Sequence, residues 1–565
     1  MINWKRRIWI FVAAVCVANP SAVAASARAE KMMIAAANPH AAAAGLEILK
    51  RGGSAADAAI AAQMVLNVVE PQSSGIGGGA FMLYWHAADE SLHTFDGRET
   101  APAAADENLF APGGEKMKWR DAVVGGRAVG APGLLAMLET AHRKHGRLPW
   151  AELFAPAIQI AENGFAVSPR LSESIANESE KGGLGRYAAA RKYFFTAEGK
   201  PLPPGTILKN PELADTFRKI AAGGARAFYE GEIARAIVAA VRGAADNPGA
   251  LSESDLQNYR AKTRPPVCLP YRKYKVCGMG PPTSGGLTVL QILKILENFD
   301  LSEIPPMSAA AAHLFSQAAR LAYADRAMHI ADSDFHPVPV ARLLDSEYLK
   351  SRARLISPAR DMGKAAPGFA NDSAAGVSPA QPSTTHLSVA DKYGNVLSMT
   401  SSIENAFGST LMARGFLLNN QLTDFSFAAA GEDGEKIANR VQANKRPRSS
   451  MSPMIVFDED GAPLLAAGSP GGSRIINYVA RSLIAVLDWN LDAQGAASLP
   501  HYVNRNGATD LEKGTAAEKL RGDLEKMGHK INIRPLVSGL HLIHFTDGEL
   551  HGGADLRREG VAIGI

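Results

Sequence analysis

The chain has 565 residues, of which 46% are hydrophobic and 21% are charged, a composition typical of folded globular proteins. Its 53 glycines and 33 prolines are near average frequency, which excludes collagen-like and disordered chains. The formal net charge of +4 comes without a long basic run, so nucleic acid is not expected as a partner.

The first 24 residues have the pattern of an export signal. Three cationic side chains at positions 5–7 precede an apolar run over residues 8–18, and residues 22–24 (Ala-Val-Ala) fit a cleavage site. This run is short for a membrane-spanning helix, which needs about 20 residues. We therefore predict a signal peptide over residues 1–24 and a periplasmic protein. An uncleaved signal that tethers the protein to the inner membrane is the alternative.

Residues 34–130 alternate between helix and strand patterns. Asn38 before Pro39 predicts an N-cap with proline at the first helical position. Ser54 followed by Asp57 resembles a capping box and predicts the start of a second helix.

A glycine-rich segment, residues 75–79, precedes an apolar run over residues 80–85. The run predicts a buried strand, and because a strand rather than a helix follows the glycines, a phosphate-binding loop is not expected. The middle third of the chain, about 131–355, is predicted to be largely helical.

Cys268 and Cys277 are the cysteines that remain after the signal, and they flank a segment that resembles a tight hairpin turning at Arg272-Lys273. A two-residue turn would place the cysteines opposite each other, where an oxidising compartment allows a disulfide. Neither turn residue favours a positive φ, so two half-buried thiols are the alternative. No metal site is expected here, because no other His or Cys lies at ligand spacing.

Residues 357–383 contain many prolines and glycines with almost no apolar periodicity, which predicts an exposed, flexible tail. After the tail, the pattern changes to strands. Residues 385–390 and 396–402 predict one hairpin, and residues 453–457 and 463–467 predict a second.

The open ends of the two predicted hairpins carry hydroxyl, carboxylate and glycine residues. If both hairpins join one sheet with their turns on the same side, these residues converge at one edge. The converging residues are Thr384, Glu404, Ser449, Ser450 and Gly471.

Thr384-Thr385-His386 directly follows the tail. A threonine hydroxyl needs a base, and an N-terminal threonine can use its own α-amine, whose pKa of about 7.7–8.0 is close to the working pH. Taken alone, such a tripeptide at a strand start is usually structural.

Other catalytic motifs are incomplete. Residues 467–471 lack the first glycine of the G-x-S-x-G motif, and the sequence contains no H-E-x-x-H motif. No metal or organic cofactor is therefore expected.

Six dispersed segments together resemble the gamma-glutamyltranspeptidase family, in order and with the expected spacing. Residues 383–395 (STTHLSVADKYGN) resemble the family's processing site. The other segments are 95–102 (FDGRETAP), 417–425 (LLNNQLTDF), 446–453 (RPRSSMSP), 468–474 (GSPGGSR) and 553–560 (GADLRREG). The resemblance extends over residues 34–565.

The resemblance implies that the precursor cleaves itself between Ser383 and Thr384. The expected products are a large chain, residues 25–383, and a small catalytic chain, residues 384–565, which remain together as a heterodimer. The implied fold is α+β, the four-layer αββα sandwich of the N-terminal-nucleophile hydrolases, with both chains in one body. Thr384 would supply both the nucleophile and, through its α-amine, the base.

The matched positions also imply how a donor is held. Arg98, Ser449 and Ser450 would bind the donor's α-carboxylate, because a guanidinium binds a carboxylate through a bidentate fork. Gln421 and Asp424 would receive the α-ammonium, with Asp424 supplying the countercharge.

Three further positions would serve the reaction itself. Ser402 lies where the family usually has a hydroxyl residue that positions the nucleophile. The backbone N–H groups of Gly471 and Gly472 would form the oxyanion hole, since glycine lets the backbone approach closely.

Glu404 departs from the family pattern, because many members have an asparagine that contacts the α-amino group at this position. A carboxylate can still accept from an ammonium, and it adds a second negative charge beside Asp424. We therefore expect a stronger preference for a free α-amine. The segment between Ser426 and Lys445 is also somewhat short for the family's lid loop, which favours a more open donor site.

The implied activity is transfer of a gamma-glutamyl group from glutathione, or another gamma-glutamyl donor, to water, an amino acid or a peptide. One alternative is a related acylase of the same fold, of the cephalosporin acylase type. Another is an unprocessed, inactive homologue that serves as a binding protein.

Overall fold

The computed structural model describes residues 25–370, 373–376 and 383–565. The predicted signal at 1–24 and part of the predicted tail lie outside these ranges. Within them, no helix is both long enough and apolar enough to cross a membrane.

Strands are numbered in chain order. They are β1 (Ala27–Ala29), β2 (Met33–Ala36), β3 (Gly79–His86), β4 (Ser91–Gly97), β5 (Phe165–Ala166), β6 (Ile207–Leu208), β7 (Lys262–Thr263), β8 (Val267–Tyr271), β9 (Tyr274–Gly278), β10 (Thr385–Ala390), β11 (Val396–Ser402), β12 (Met412–Ala413), β13 (Phe416–Leu417), β14 (Met454–Phe457), β15 (Pro463–Gly468), β16 (Tyr502–Asn504), β17 (Thr509–Glu512), β18 (Ile531–Arg534), β19 (His541–Thr546), β20 (Glu549–Ala554) and β21 (Val561–Gly564).

Helices are numbered in the same way. They are α1 (Pro39–Lys50), α2 (Ala55–Val69), α3 (Trp119–Val123), α4 (Leu134–His145), α5 (Ala155–Asn163), α6 (Pro169–Glu180), α7 (Ala188–Phe194), α8 (Pro211–Gly223), α9 (Arg226–Tyr229), α10 (Gly231–Arg242), α11 (Glu253–Gln257), α12 (Gly285–Leu296), α13 (Ala309–His329), α14 (Val340–Leu343), α15 (Ser346–Ala353), α16 (Ile475–Leu487), α17 (Ala493–Ser498) and α18 (Arg521–Lys526).

Two seven-stranded sheets dominate the described residues. Sheet 1 has the order β1-β20-β19-β15-β14-β9-β8, and sheet 2 has the order β21-β2-β10-β11-β3-β4-β7. The sheets pack face to face where β10 and β11 meet β15 and β19. Helices α1, α2 and α4 cover the outer face of sheet 2, whereas α12 and α16 cover that of sheet 1. This four-layer αββα sandwich confirms the predicted α+β fold.

Strand β3 shows how the sequence specifies these layers. Ala80, Met82 and Tyr84 belong to the core under the helices of sheet 2, whereas Phe81 and Leu83 belong to the core that includes sheet 1. Successive side chains of a strand point to opposite faces, so a strand covered on both faces needs a continuous apolar run. The predicted strand at 80–85 is therefore confirmed.

The two predicted helix starts are also confirmed. The Asn38 side chain accepts a hydrogen bond from the His40 N–H at 3.0 Å at the start of α1. At the start of α2, the Ser54 side chain accepts from the Asp57 N–H, and the Asp57 carboxylate accepts from the Ser54 N–H at 2.9 Å. Each cap of this kind stabilises a helix by about 1 kcal/mol.

Both predicted hairpins form, but the condition that they join one sheet is not met. Strands β10 and β11 lie in sheet 2, and β14 and β15 lie in sheet 1, because each hairpin pairs with different neighbours. Their open ends still meet, since the two sheets are stacked. The contact between them includes a hydrogen bond of 3.0 Å from Ser398 Oγ to the Ala467 carbonyl.

Cys268 and Cys277 face each other across the β8–β9 hairpin and are joined by a disulfide bond. The turn is at Arg272-Lys273, as predicted, and Arg272 adopts a positive φ of 53°. Its guanidinium donates to Asp488 Oδ1 at 2.9 Å and to the Phe299 carbonyl at 2.8 Å. These hydrogen bonds offset the cost of a conformation that arginine does not favour.

The described part of the predicted tail is mostly exposed or half-buried, and hydrogen bonds connect it to the rest of the protein. The Asp361 carboxylate lies 3.0 Å from Arg320 Nε of α13. The Ala365 N–H donates to Asn506 Oδ1 at 2.7 Å, and Asn506 Nδ2 donates back to the Ala365 carbonyl at 2.9 Å. The flexibility of this segment stays a prediction.

Candidate active site

A small cavity lies where the open ends of the two hairpins meet. Its lining consists of Arg98, Thr384, Ser402, Glu404, Gln421, Asp424, Ser449, Ser450, Met451, Gly472 and Ile475. The predicted nucleophile, Ser402 and every predicted donor-binding residue are in this set. Of the two predicted oxyanion donors, Gly472 lines the cavity and Gly471 adjoins it.

Thr384 lies immediately before β10 and is buried. Its Oγ1 lies 2.9 Å from Ser402 Oγ, which also accepts a hydrogen bond from the Glu404 N–H at 2.9 Å. The φ of Thr384 is 91°, a conformation that is rare for a β-branched residue. Arg558 Nη1 donates to the Thr384 carbonyl at 2.8 Å, so the strained backbone is held from the carbonyl side as well.

Gly471 is placed against the peptide bond that precedes Thr384. Its N–H donates to the Ser383 carbonyl oxygen at 3.3 Å. The φ of Gly471 is 135°, and a Cβ there would lie 2.6 Å from the Tyr478 ring, so only glycine fits. A negative charge developing on the Ser383 oxygen would therefore face a backbone donor that is already in place.

Arg98 follows β4 and is fully buried at the wall of the cavity. Its Nη2 donates to Asp424 Oδ2 at 2.5 Å, and its Nε donates to the Pro447 carbonyl at 3.1 Å. Gln421 Nε2 donates to the same Asp424 oxygen at 2.9 Å. The predicted carboxylate-binding and ammonium-binding side chains are thus paired with each other.

The cavity beside these paired side chains is small. Its volume is about 20 Å³, which accommodates about one water molecule. The Arg98–Asp424 ion pair is buried, so both charges have lost most of their hydration. A ligand that enters between them must supply a charge of opposite sign to each.

Glu404 lies beside Ser402 with a positive φ of 78°. Asn420 Nδ2 donates to Glu404 Oε2 at 2.5 Å, and the side chain is buried at the cavity wall. The carboxylate that departs from the family pattern is therefore part of the site, on the same side of the nucleophile as Ser402.

Ser449 and Ser450 are fixed by groups from the preceding half of the chain. Arg326 of α13 donates to Ser450 Oγ at 2.8 Å and to Ser284 Oγ at 2.7 Å. Ser284 Oγ in turn donates to the Ser449 carbonyl at 2.7 Å. Since Ser450 Oγ accepts from Arg326, its own hydrogen is directed elsewhere and is available to a ligand carboxylate.

The family model of gamma-glutamyltranspeptidase matches residues 41–565. The chain belongs to the gamma-glutamyltranspeptidase family. A glutathione hydrolase proenzyme of Bacillus subtilis (strain 168) is 38% identical over 551 residues, which are 94% of this chain and 91% of that protein.

Solved structures agree with this assignment. The crystal structure of cephalosporin acylase from Bacillus halodurans matches 98% of this chain and 99% of that one, with a TM-score of 0.84 and 26% identity. Helicobacter pylori gamma-glutamyltranspeptidase matches 60% of this chain and 93% of that one, with a TM-score of 0.55 and 33% identity. The fold is therefore that of the N-terminal-nucleophile hydrolases.

Some residues at this gamma-glutamyltranspeptidase site were not predicted. Asn420 and Arg558 lie inside family-like segments, so the motifs mark their positions but not their contacts. Arg326 lies in α13, where no motif distinguishes it from other helix residues. Only the tertiary structure brings it to Ser450.

Glu99, another unpredicted residue, is fully buried next to Arg98, whose Nη1 lies 3.7 Å from Glu99 Oε2. Burial raises the pKa of Glu99 to about 8, against the opposing effect of the Arg98 charge. The ordinary pKa of a glutamate side chain is 4.5. The folded state therefore binds this proton more tightly than the unfolded state does. As a result, the free energy of unfolding decreases as the pH rises from 4.5 to about 8.

We expect Glu99→Gln to remove this pH-dependent loss of stability. The free energy of unfolding of the variant, relative to the unmodified protein, should increase as the pH rises from about 5 to about 8, because glutamine carries no charge to bury. Denaturant unfolding at several pH values measures it, with the exposed Glu115→Gln as the matched control. A difference that stays constant with pH would contradict the raised pKa.

Proposed function

We propose that this chain is a self-processing gamma-glutamyltransferase and glutathione hydrolase whose nucleophile is Thr384. One observation carries the proposal. The Thr384 hydroxyl contacts Ser402 at the wall of a cavity in which Arg98 and Asp424 offer one positive and one negative charge. This charge pair matches the α-carboxylate and α-ammonium of a gamma-glutamyl group.

The first reaction is self-cleavage. Thr384 Oγ1 attacks the Ser383 carbonyl carbon, and the oxygen of that carbonyl gains negative charge facing the Gly471 N–H. The peptide C–N bond then breaks, the amine nitrogen takes up a proton, and Ser383 becomes an ester on the Thr384 hydroxyl. Water hydrolyses this ester and leaves a large chain ending at Ser383 and a small chain beginning with the free Thr384 amine.

The second reaction uses the new amine as the base. A free α-amine has a pKa of about 7.7–8.0, so near neutral pH a useful fraction can accept the hydroxyl proton. Thr384 Oγ1 attacks the donor's gamma-carbonyl carbon, and the N–H groups of Gly471 and Gly472 stabilise the oxyanion. The donor's amine leaves with the proton. Water, or the amine of an amino acid or peptide, then resolves the gamma-glutamyl ester.

When a donor binds, the Arg98–Asp424 ion pair is replaced by two ion pairs, one with the donor's α-carboxylate and one with its α-ammonium. The donor's α-carboxylate takes the place of Asp424 on Arg98, with Ser449 and Ser450 as further hydrogen-bond donors. The α-ammonium then binds Asp424 and Glu404. An uncharged acyl group would separate Arg98 from Asp424 without compensating either buried charge, which is costly.

A related acylase is the second candidate, because the cephalosporin acylase structure is similar over nearly the full length of the chain. Gamma-glutamyl-anilide and glutaryl-anilide separate the two candidates, since the glutaryl group lacks only the α-amine. We expect kcat/KM to be at least about 100-fold higher for the gamma-glutamyl substrate, because the glutaryl group brings no cation to replace the Arg98 guanidinium beside Asp424. Equal values for the two substrates would favour the acylase.

Glu404→Gln provides the matched variant for this comparison. It keeps the size of the side chain and removes its charge, so the preference for the gamma-glutamyl substrate should become smaller. An unchanged preference would mean that Asp424 alone recognises the ammonium.

The proposal includes export to the periplasm with a signal at residues 1–24. The Cys268–Cys277 disulfide supports it, because disulfides persist mainly in oxidising compartments. The mass of the large chain after self-cleavage decides whether the signal is removed.

A further inference from the structure

A second, larger cavity of about 760 Å³ lies beside the active-site cavity. Its walls come from α13, from residues 364–367 of the predicted tail, and from the segments around β17 and β18. After self-cleavage between Ser383 and Thr384, the first two walls would belong to the large chain and the third to the small chain.

The two cavities share a wall. Gly472 lines the active-site cavity, and the next residue, Ser473, lines the larger one. Arg505 Nη1 donates to Ser473 Oγ at 2.7 Å, which connects the larger cavity directly to the turn at Gly471-Gly472, called the oxyanion turn below. Arg326 also lines the larger cavity while it donates to Ser450 on the other side.

The larger cavity carries an excess of positive charge. Lys364, Arg505 and Arg534 line it, and within the described residues none of them forms a salt bridge. Asp510 also lines it, but Arg474 already donates to this carboxylate at 2.9 Å. Burial and the neighbouring Arg474 charge lower the pKa of Arg505, against the opposing effects of Tyr323 and Asp510.

The small size of the active-site cavity limits what it holds. Arg98, Asp424 and Thr384 bind the two charges and the carbonyl of a gamma-glutamyl group, so the amine portion of the donor must lie outside this cavity. An acceptor amine attacks the ester from the place that the leaving amine vacated, by microscopic reversibility. Leaving group and acceptor therefore need the same space beyond the oxyanion turn.

We propose that the larger cavity binds the carboxylate of the leaving or acceptor peptide, with Arg505 and Arg534 as its cationic partners. The proposal rests on the gamma-glutamyl transfer proposed above and extends it to the acceptor. Arginine suits this task because its planar guanidinium can bind a carboxylate through two hydrogen bonds. Lys364 adds a third positive charge from the large chain, so the acceptor site spans both chains.

The test compares two acceptors, glycylglycine and glycylglycinamide, with gamma-glutamyl-anilide as the donor. They differ at the terminal carboxylate, which the amide replaces with a neutral group. We expect the acceptor KM to be about tenfold lower for glycylglycine, which is the effect of one charge-assisted hydrogen bond. In Arg505→Gln/Arg534→Gln this difference should disappear, because only the carboxylate loses a partner.

Arg505 contacts the oxyanion turn, so its replacement could also disturb the turn. Arg534→Gln alone avoids this problem, since Arg534 is exposed at the end of β18. It should raise the KM of glycylglycine more than that of the amide, and Arg534→Lys should restore part of the difference. Arg235→Gln, an exposed arginine on α10, is the matched control and should change neither KM.

The outcomes are distinguishable. If the unmodified enzyme hydrolyses the donor but has the same KM for both acceptors, the carboxylate site is refuted and the proposed function stands. Equal KM increases for both acceptors in Arg534→Gln also refute it, because the arginine then acts on structure rather than on the carboxylate. If the unmodified enzyme does not hydrolyse gamma-glutamyl-anilide, the proposed function and this extension fail together.

Discussion

Thr384→Ala is expected to leave one uncut chain without transferase or hydrolase activity. The methyl group cannot attack the Ser383 carbonyl, and without cleavage no free α-amine appears at this position. A denaturing intact-mass spectrum measures the result. The unmodified protein should give two masses that sum to the mature chain plus one water, with the break between Ser383 and Thr384.

Thr385→Val is the matched control for this variant. In the described residues Thr385 Oγ1 is buried without a hydrogen-bond partner, and valine keeps the shape that β10 requires. This variant should be cut normally. Normal cutting of Thr384→Ala would refute the assignment of the nucleophile, whereas an uncut unmodified protein after long incubation would favour a binding protein.

The sequence predicts the immediate surroundings of Thr384 well, because they are encoded locally. Turn residues between apolar runs place Thr384 at the start of β10 and Ser402 at the end of β11. Antiparallel pairing then brings the two hydroxyls together without further information. The resemblance to a known family adds the remote partners, Arg98 and Asp424, which lie more than 300 residues apart.

Other features depend on packing and leave no local pattern. A strand's own sequence does not state which sheet it joins, so the sequence does not reveal that the two hairpins belong to different sheets. Arg326 is one of several polar residues in the buried helix α13, and only the position of that helix against Ser450 gives it a role. The direct Arg98–Asp424 ion pair is likewise visible only in three dimensions.

Arg98→Ala is expected to raise the KM for gamma-glutamyl-anilide strongly while self-cleavage continues. The donor's α-carboxylate loses its charged partner, and truncating one member of such a buried pair typically costs about 2–5 kcal/mol. Self-cleavage should persist, because the Ser383 carbonyl contacts Gly471 rather than Arg98. Steady-state kinetics measures the KM, and the intact-mass spectrum reports on cleavage in the same sample.

Cleavage also serves as the folding control, since a misfolded Arg98→Ala variant could not bring Thr384 Oγ1 to the Ser383 carbonyl. Arg98→Lys separates charge from geometry. It keeps a cation opposite Asp424 but presents a single ammonium instead of a planar fork, so its KM should lie between those of the unmodified enzyme and Arg98→Ala. An unchanged KM in a cleaved Arg98→Ala would mean that the carboxylate binds elsewhere, and the exchange of one ion pair for two would be refuted.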